Sequence, residues 1–358
     1  MKNLIIPCGG TSSRFPNMKP KWMLTYPDGE LMIKKSISGL PIEKFDRIII
    51  TIVQSHIDEF DAYRILDQIF DFNGENQYEL LVLKDFTKSQ SDTVYQTIKQ
   101  KNIKGEVVIK DSDNYVLLDN LLDGNFVTGI DLQQFSKDVM RLKSKSFLMV
   151  NEQNIVMDII EKQISSNIIC IGVYGFSSSI ELISAYEKLD DNSEEVYISH
   201  LISYLIGLER EVFKYCLAKD YEDWGTLDDW RIVQSRKKTY FIDLDGVILN
   251  NVGKFGEKNW SNDFEVIEKN MHVIKELYDN GAQIVITTSR SETYKEYIFL
   301  KFKHYGIMLH EIVTDLNHAQ RVLINDFAPT NPYPSATAIN LPRNADLQSY
   351  ISNVSMLI

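Results

Sequence analysis

The stretch Tyr240-Phe-Ile-Asp-Leu-Asp-Gly-Val-Ile-Leu249 divides the chain. An apolar run broken by two carboxylates and a glycine reads as a buried parallel strand whose C-terminal end delivers Asp243 and Asp245 into a crevice, where open α/β sheets place their ligands. Residues at i and i+2 of a strand point the same way. Asp243 is then placed to act as a nucleophile and Asp245 as its acid/base partner. Carboxylates so close repel unless a cation neutralises them, which implies Mg²⁺. Standing alone, the same pattern also describes a strand that ends in an Asp-Gly turn.

Two later runs favour the chemical reading. Gln283-Ile-Val-Ile-Thr-Thr-Ser-Arg290 ends in hydroxyls and a cation, suited to a phosphoryl group at a strand's C-terminal edge. Arg321-Val-Leu-Ile-Asn-Asp-Phe-Ala-Pro329 is expected as a further strand, ending in Asn325-Asp326 and suited to a metal. In this order the three stretches resemble the haloacid dehalogenase (HAD) phosphatase superfamily, in particular its small capsule-biosynthesis phosphatases, over about residues 237 to 350. The resemblance implies an aspartyl-phosphate on Asp243 and a leaving group protonated by Asp245. It also implies Thr288 on the phosphoryl group and Mg²⁺ held by Asp243, Asp245 and Asp326. The lysine such proteins place between the second and third stretches is missing from Glu311-Ile-Val-Thr-Asp-Leu-Asn-His318; Arg321, Lys301 and Lys303 are the candidates to replace it. Only about 40 residues separate Asp243 from Thr288, too few for a large cap domain, and the insert Asn250 to Asp263, with Trp260, reads as a small flap.

A chain of 358 residues leaves a separate domain of roughly 235 residues ahead of this segment. The composition, 44% hydrophobic and 25% charged, is that of a globular protein with ample core. A net charge of -12 argues against nucleic acid as a partner. The three cysteines, Cys8, Cys170 and Cys216, have neither zinc spacing nor a disulfide framework, which fits a reducing cytoplasm. No apolar stretch approaches a membrane span.

The first domain opens with a short strand at Leu4-Ile-Ile-Pro7 running into Cys8-Gly-Gly-Thr-Ser-Ser-Arg-Phe15. Glycines let the backbone approach a ligand, exposed N–H groups cradle phosphate, and Arg14 adds a fork of donors. Neither a Rossmann fingerprint nor a P-loop is present. Lys19-Pro-Lys-Trp-Met-Leu24 follows, and a lysine held by proline there can neutralise a triphosphate; Lys21 is the choice over Lys19. Strands are expected at Asp46–Val53, Glu79–Leu83 and from Glu106, with a helix over Asp58 to Phe72.

From its loop and lysine onward, this part of the chain resembles the sugar-phosphate nucleotidyltransferases over about residues 1 to 232. Phe86-Thr-Lys-Ser-Gln-Ser-Asp-Thr-Val94 is similar to the polar turn against which that family reads the base, although an N-cap by Ser89 or Ser91 explains it equally. Lys110-Asp-Ser-Asp-Asn114, Ile159-Ile-Glu-Lys-Gln-Ile-Ser-Ser-Asn167, Ile171-Gly-Val-Tyr-Gly-Phe176, Glu194-Glu-Val-Tyr-Ile-Ser199 and Asp223-Trp-Gly-Thr226 match later elements in the expected order. The resemblance implies a triphosphate held by Gly9, Gly10, Thr11, Ser12, Arg14 and Lys21, and a base faced by Gln90 and Ser91. It implies an acceptor held by Glu161, Lys162, Asn167, Gly172 and Glu195, with Mg²⁺ on Asp113 and Asp223.

The expectation is therefore an α/β chain of two Rossmann-like three-layer domains: residues 1–234 with a nucleotidyltransferase (GT-A-like) fold, and 237–358 HAD-like without a large cap. The expected partners are an NTP, with CTP favoured, and a sugar or polyol phosphate on the way to a capsular polysaccharide; the oligomeric state stays open. Two alternatives stand: a glycosyltransferase using Asp111-Ser-Asp113, and a nucleotidyltransferase with a non-catalytic second domain.

Overall fold

The structure is a computed structural model that describes residues 1–135, 141–190, 195–208, 211–251, 265–326 and 336–355. Two compact units divide it, Met1–Trp230 and Arg231–Ile358. The expected flap lies almost wholly outside the described residues.

In the first unit β-branched runs form the strands. β1 (Lys2–Pro7), β2 (Arg47–Val53), β3 (Tyr78–Leu83) and β4 (Glu106–Lys110) are parallel, in the order β3-β2-β1-β4. The chain continues through β5 (Asn114–Leu117), β6 (Phe126–Asp131), β7 (Phe147–Val150), β8 (Ile155–Ile160), β9 (Ile168–Phe176), β10 (Phe213–Leu217) and β11 (Asp220–Asp223). Strands β9, β6, β10, β8 and β7 extend the sheet beyond β4 to nine, β9 running antiparallel to both β4 and β6, while β5 and β11 pair as a separate antiparallel ribbon.

Alternate residues of the central strands serve opposite faces, as a pleated strand requires. Leu4, Ile6, Ile48, Ile50, Ile52 and Val108 join one buried cluster; Ile5, Ile49, Val107 and Ile109 join another. Helices cover both, Ala62–Phe70 on the first face and Gln90–Gln100 with Ile198–Gly207 on the second, completing three layers. The helix expected over 58–72 is two helices, Gln54–Phe60 and Ala62–Phe70, because Asp61 between them sits in the left-handed region at φ 53°. That conformation ends one helix and starts the next.

The topology also locates the site. From β1 the chain moves outward through β2 and β3, then returns to the other side of β1 as β4. Connections from β1 and β4 thus leave in opposite directions, opening a crevice at their C-terminal ends. The glycine loop after β1 and the Asp111-Ser-Asp113 turn after β4 meet at that crevice.

In the second unit β12 (Thr239–Asp243), β13 (Gln283–Thr287) and β14 (Glu311–Val313) form a parallel sheet in that order. Helices Glu268–Asp279 and Lys295–His304 supply Met271, Ile274, Ile298 and Phe302 to its core. The strand expected at Arg321 does not form over the described residues: 321–326 are coil, Val322, Leu323 and Ile324 are 75%, 58% and 88% exposed, and the rest of that stretch lies outside the described residues. An apolar run becomes a strand only where a ladder partner satisfies its backbone, and among the described residues this one has none.

Candidate active sites

The glycine loop after β1 is shaped by its neighbours. Gly9 packs where a Cβ would lie 3.0 Å from Thr93 Oγ1 and 3.1 Å from Thr87 Oγ1, and its carbonyl accepts the Thr87 N–H at 3.1 Å. The loop is thereby seated on the start of helix Gln90–Gln100. Gly10 faces open space and Thr11 is exposed. Ser12, at φ 51°, turns the chain so that its hydroxyl accepts the Lys21 N–H at 3.2 Å.

Lys21 Nζ donates to Asp113 Oδ2 at 2.5 Å, with Arg14 Nη2 at 3.7 Å from the same oxygen. Burial would push Asp113 up, yet Lys21 and Arg14 together hold it well below the usual carboxylate range. Asp223 arrives from the β5–β11 ribbon, where it is the ladder partner of Asn114, and the Trp224 N–H donates to Asp113 O at 2.9 Å. A Cβ built on Gly225 would lie 3.2 Å from Asp223 Oδ1, 3.4 Å from Asp113 Oδ2 and 3.6 Å from Arg14 Nη1. Two carboxylates and a guanidinium therefore converge at one point. Trp224 and Trp230, with ring centroids 6.2 Å apart, pack with Tyr26 behind it.

Asp111 faces elsewhere. Gln90 Nε2 donates to its Oδ1 at 2.5 Å, and Gly172, at φ 82°, would place a Cβ 2.3 Å from its Oδ2. Burial, and then the charge of Asp113, push Asp111 up to about 6. Lys110 beneath the turn is fully buried and spends its three protons on Asp111 O, Asn114 O and Asn114 Oδ1 at 2.6, 2.9 and 2.5 Å. Burial lowers it to about 8. This lysine holds the turn that presents Asp113.

Among the residues expected at an acceptor, Glu161 accepts hydroxyl protons from Ser146 and Ser199 at 2.5 and 2.6 Å. Lys162 Nζ donates to Tyr197 Oη at 2.6 Å, and Tyr197 donates to Glu195 at 2.7 Å. Asn167 is exposed, its carbonyl accepting the Leu132 N–H at 2.9 Å. Ser91 differs from its expected place before the base: it is 1% exposed and its hydroxyl donates to Val196 O. Ser89 is the N-cap, accepting the Asp92 N–H at 3.1 Å.

In the second unit Asp243 closes β12 opposite Thr287, and Asp245 lies in the turn beyond. Both oxygens of Asp245 are taken by Arg290, through Nη2 at 2.6 Å and Nε at 2.9 Å. Arg290 is only 5% exposed, and its own N–H donates to Thr288 Oγ1 at 3.1 Å. Thr288 is itself buried. Arg321 Nη2 is 3.3 Å from Asp243 Oδ1, so of the three cations proposed for the missing lysine it is the one beside the nucleophile candidate. Burial raises Asp243 against the opposing pull of Arg321. Asp326 lies on the exposed coil. A cleft of about 490 Å³ in this unit, lined by residues such as Glu292, Phe299 and His310, includes none of these side chains.

Donor chemistry tests the implied metal. Among the described residues no group of three or more His, Cys, Asp or Glu side chains gathers into a cation site. The pair Asp113 and Asp223 nevertheless suits Mg²⁺, which binds through one or two carboxylates and takes its other ligands from water and substrate phosphates. Cations stand on the carboxylates of both units, Lys21 on Asp113, Lys145 on Asp223, Arg321 on Asp243 and Arg290 on Asp245, and among the described residues Asp243, Asp245 and Asp326 are not brought into one donor set.

Sequence reading missed Lys145 and Ser146, neither of which carries a local signal; Lys110 precedes the Asp111-Ser-Asp113 turn singled out there, but only its bonds to Asp111 and Asn114 define its role. Arg290 stood in a quoted stretch, but only its ion pair with Asp245 defines its role.

The first unit has an α/β fold shared with solved nucleotidyltransferases, and the second holds a HAD-like region. Residues 240–320 match the family model of the haloacid dehalogenase-like hydrolases. The first unit carries the fold of solved pyrophosphorylases. A nucleoside-diphosphate-sugar pyrophosphorylase from Vibrio cholerae aligns at 17% identity and TM-score 0.54, over 64% of this chain and 98% of its own. A protein assigned as a glucose-1-phosphate thymidylyltransferase from Bacillus anthracis aligns at 19% and 0.52, over 65% and 93%. A UDP-glucose pyrophosphorylase solved with UDP-glucose gives 13% and 0.51, over 65% and 97%. No curated protein matches the chain by sequence. No helix among the described residues is long and apolar enough to cross a membrane.

Proposed function

We propose that the chain is a bifunctional enzyme that transfers a nucleotidyl group from an NTP to a sugar or polyol phosphate, and hydrolyses a phosphomonoester in its second unit. The observation that carries the first half is the convergence of Arg14, Lys21, Asp113 and Asp223 at the crevice beside β1 and β4. An acceptor phosphate oxygen attacks the α-phosphorus, the bond to the bridging oxygen breaks, and pyrophosphate departs with the electron pair. Positioning and charge neutralisation dominate such a step. No general base is needed, because a phosphate monoester is already ionised at neutral pH. Arg14, Lys21 and the Gly9–Ser12 backbone bind the triphosphate; Glu161, Lys162, Glu195 and Gly172 shape the acceptor side. Asp113 and Asp223 would hold Mg²⁺, which supplies further neutralisation of the phosphates.

In the second unit Asp243 is the nucleophile, with Thr288 and Arg321 toward the phosphoryl group. Asp245 protonates the leaving oxygen only after its pair with Arg290 opens. CTP is the favoured nucleotide and a capsular polysaccharide precursor the favoured product, both on family resemblance. The glycosyltransferase reading gains nothing from the structure, since Asp111 and Asp113 face different partners.

The test is full-length protein with Mg²⁺, each NTP in turn and a panel of sugar and polyol phosphates, with pyrophosphate and inorganic phosphate recorded separately. Acceptor-dependent pyrophosphate that disappears in Asp113→Asn, and inorganic phosphate that disappears in Asp243→Asn, are expected. No pyrophosphate from any pairing overturns the first half, and phosphate release that survives Asp243→Asn overturns the second.

A further inference from the structure

Lys145 lies between the two halves of the first site. Its Nζ forms an ion pair with Asp223 Oδ2 and donates to Tyr221 Oη at 3.1 Å. An ammonium has three protons, and these two bonds leave one unspent among the described residues. Its side chain is 16% exposed, largely withdrawn from water but not sealed from it. The backbone ties it to the other half: Lys145 O accepts the Lys162 N–H at 3.1 Å, and the neighbouring Ser146 hydroxyl binds Glu161 at 2.5 Å. Arg14 and Lys21, by contrast, both stand on Asp113. The site thus has one cationic pair on the triphosphate side and, in addition to Lys162, a further cation beside the acceptor residues.

We propose that Lys145 is a further catalytic residue, which binds the phosphate of the acceptor with its third N–H while Asp223 and Tyr221 hold its ammonium in place. The proposal rests on the nucleotidyltransferase reading above. In-line transfer brings an anionic phosphomonoester against the α-phosphate, another anion, and their repulsion must be offset where they meet. Lys145 is placed at that junction, since it spans Asp223 and the strand entry next to Glu161. As the new bond to the α-phosphorus forms and pyrophosphate leaves, Lys145 stays on the phosphate that becomes the β-phosphate of the product. It neither gains nor loses a proton.

The test compares wild type, Lys145→Met and Lys145→Arg in the full-length protein, using the sugar or polyol phosphate that supports most pyrophosphate release. The Met variant should raise KM for that acceptor at least tenfold while KM for the NTP changes less than about twofold, and the Arg variant should recover part of the loss. Without NTP, the same acceptor should raise the melting temperature of wild type and not of the Met variant. Lys145→Gln serves the same comparison where the Met variant does not fold. An unchanged acceptor KM and an unchanged thermal shift would overturn the proposal, leaving Lys145 as a strut for Asp223. Wild type that makes no acceptor-dependent pyrophosphate would overturn the underlying reading and this proposal with it.

Discussion

Replacing Gly172 by alanine tests how tightly β9 is joined to the Asp111–Asn114 turn. Gly172 has φ 82°, a region that costs an L-residue about 1–2 kcal/mol. Its new Cβ would lie 2.3 Å from Asp111 Oδ2 and 2.6 Å from Asn114 Nδ2, far inside ordinary contact. Both atoms belong to the turn that Lys110 holds from below, so the easiest relief is for Asp111 to swing away and release Gln90. A hydrogen bond to a charged group contributes about 1.5–3 kcal/mol, so with the backbone cost the expected destabilisation is about 2.5–5 kcal/mol. The assay is denaturant unfolding followed by tryptophan fluorescence, because Trp22, Trp224 and Trp230 are buried in the first unit. Measured again on an Asp111→Ala background, where one clashing group is gone, the cost of Gly172→Ala should fall by about 1–2 kcal/mol, a coupling typical of residues in contact. Additivity within about 0.5 kcal/mol would refute the steric argument. Gly10→Ala, with nothing within 4 Å of its new Cβ, should leave stability almost unchanged.

Two further outcomes are expected. His56 is buried, and that burial lowers it to about 4. An unfolded histidine titrates near 6.5, so the unfolded state binds the extra proton between these values; stability should therefore fall as pH drops from about 6.5 toward 4, and His56→Phe should flatten that slope in unfolding curves taken above pH 5. Arg290→Lys keeps the charge but loses the fork that grips both oxygens of Asp245. It should lower the stability of the second unit by about 1–3 kcal/mol by calorimetry, with a loss of phosphatase activity if Asp243 acts as proposed; an unaltered transition would show that the bidentate pair contributes little.

Much of this architecture was legible from local patterns. Runs such as Arg47–Val53 and Gln283–Thr287 are strands because continuous β-branched apolar residues suit a sheet covered on both faces. Cys8-Gly9-Gly10 and Asp111-Ser-Asp113 mark chain reversals after strands, which is where crevice loops lie. Local pattern misled at Arg321-Val-Leu-Ile, whose apolarity promised a strand that no neighbour among the described residues completes, and at Ser91, whose hydroxyl bonds the interior.

What the chain determined by itself is the sequence of strands, turns and cations, because burial and turn geometry act over a few residues and leave their mark there. Which distant charges meet was decided only by tertiary structure. Lys21 reaches Asp113 across 92 positions, Lys145 reaches Asp223 across 78, and Arg290 closes on Asp245 across 45. An ammonium or guanidinium reads alike in a solvated loop and in a buried pair. The difference lies in desolvation and in the partner's position, both set by the register of strands far apart in the chain.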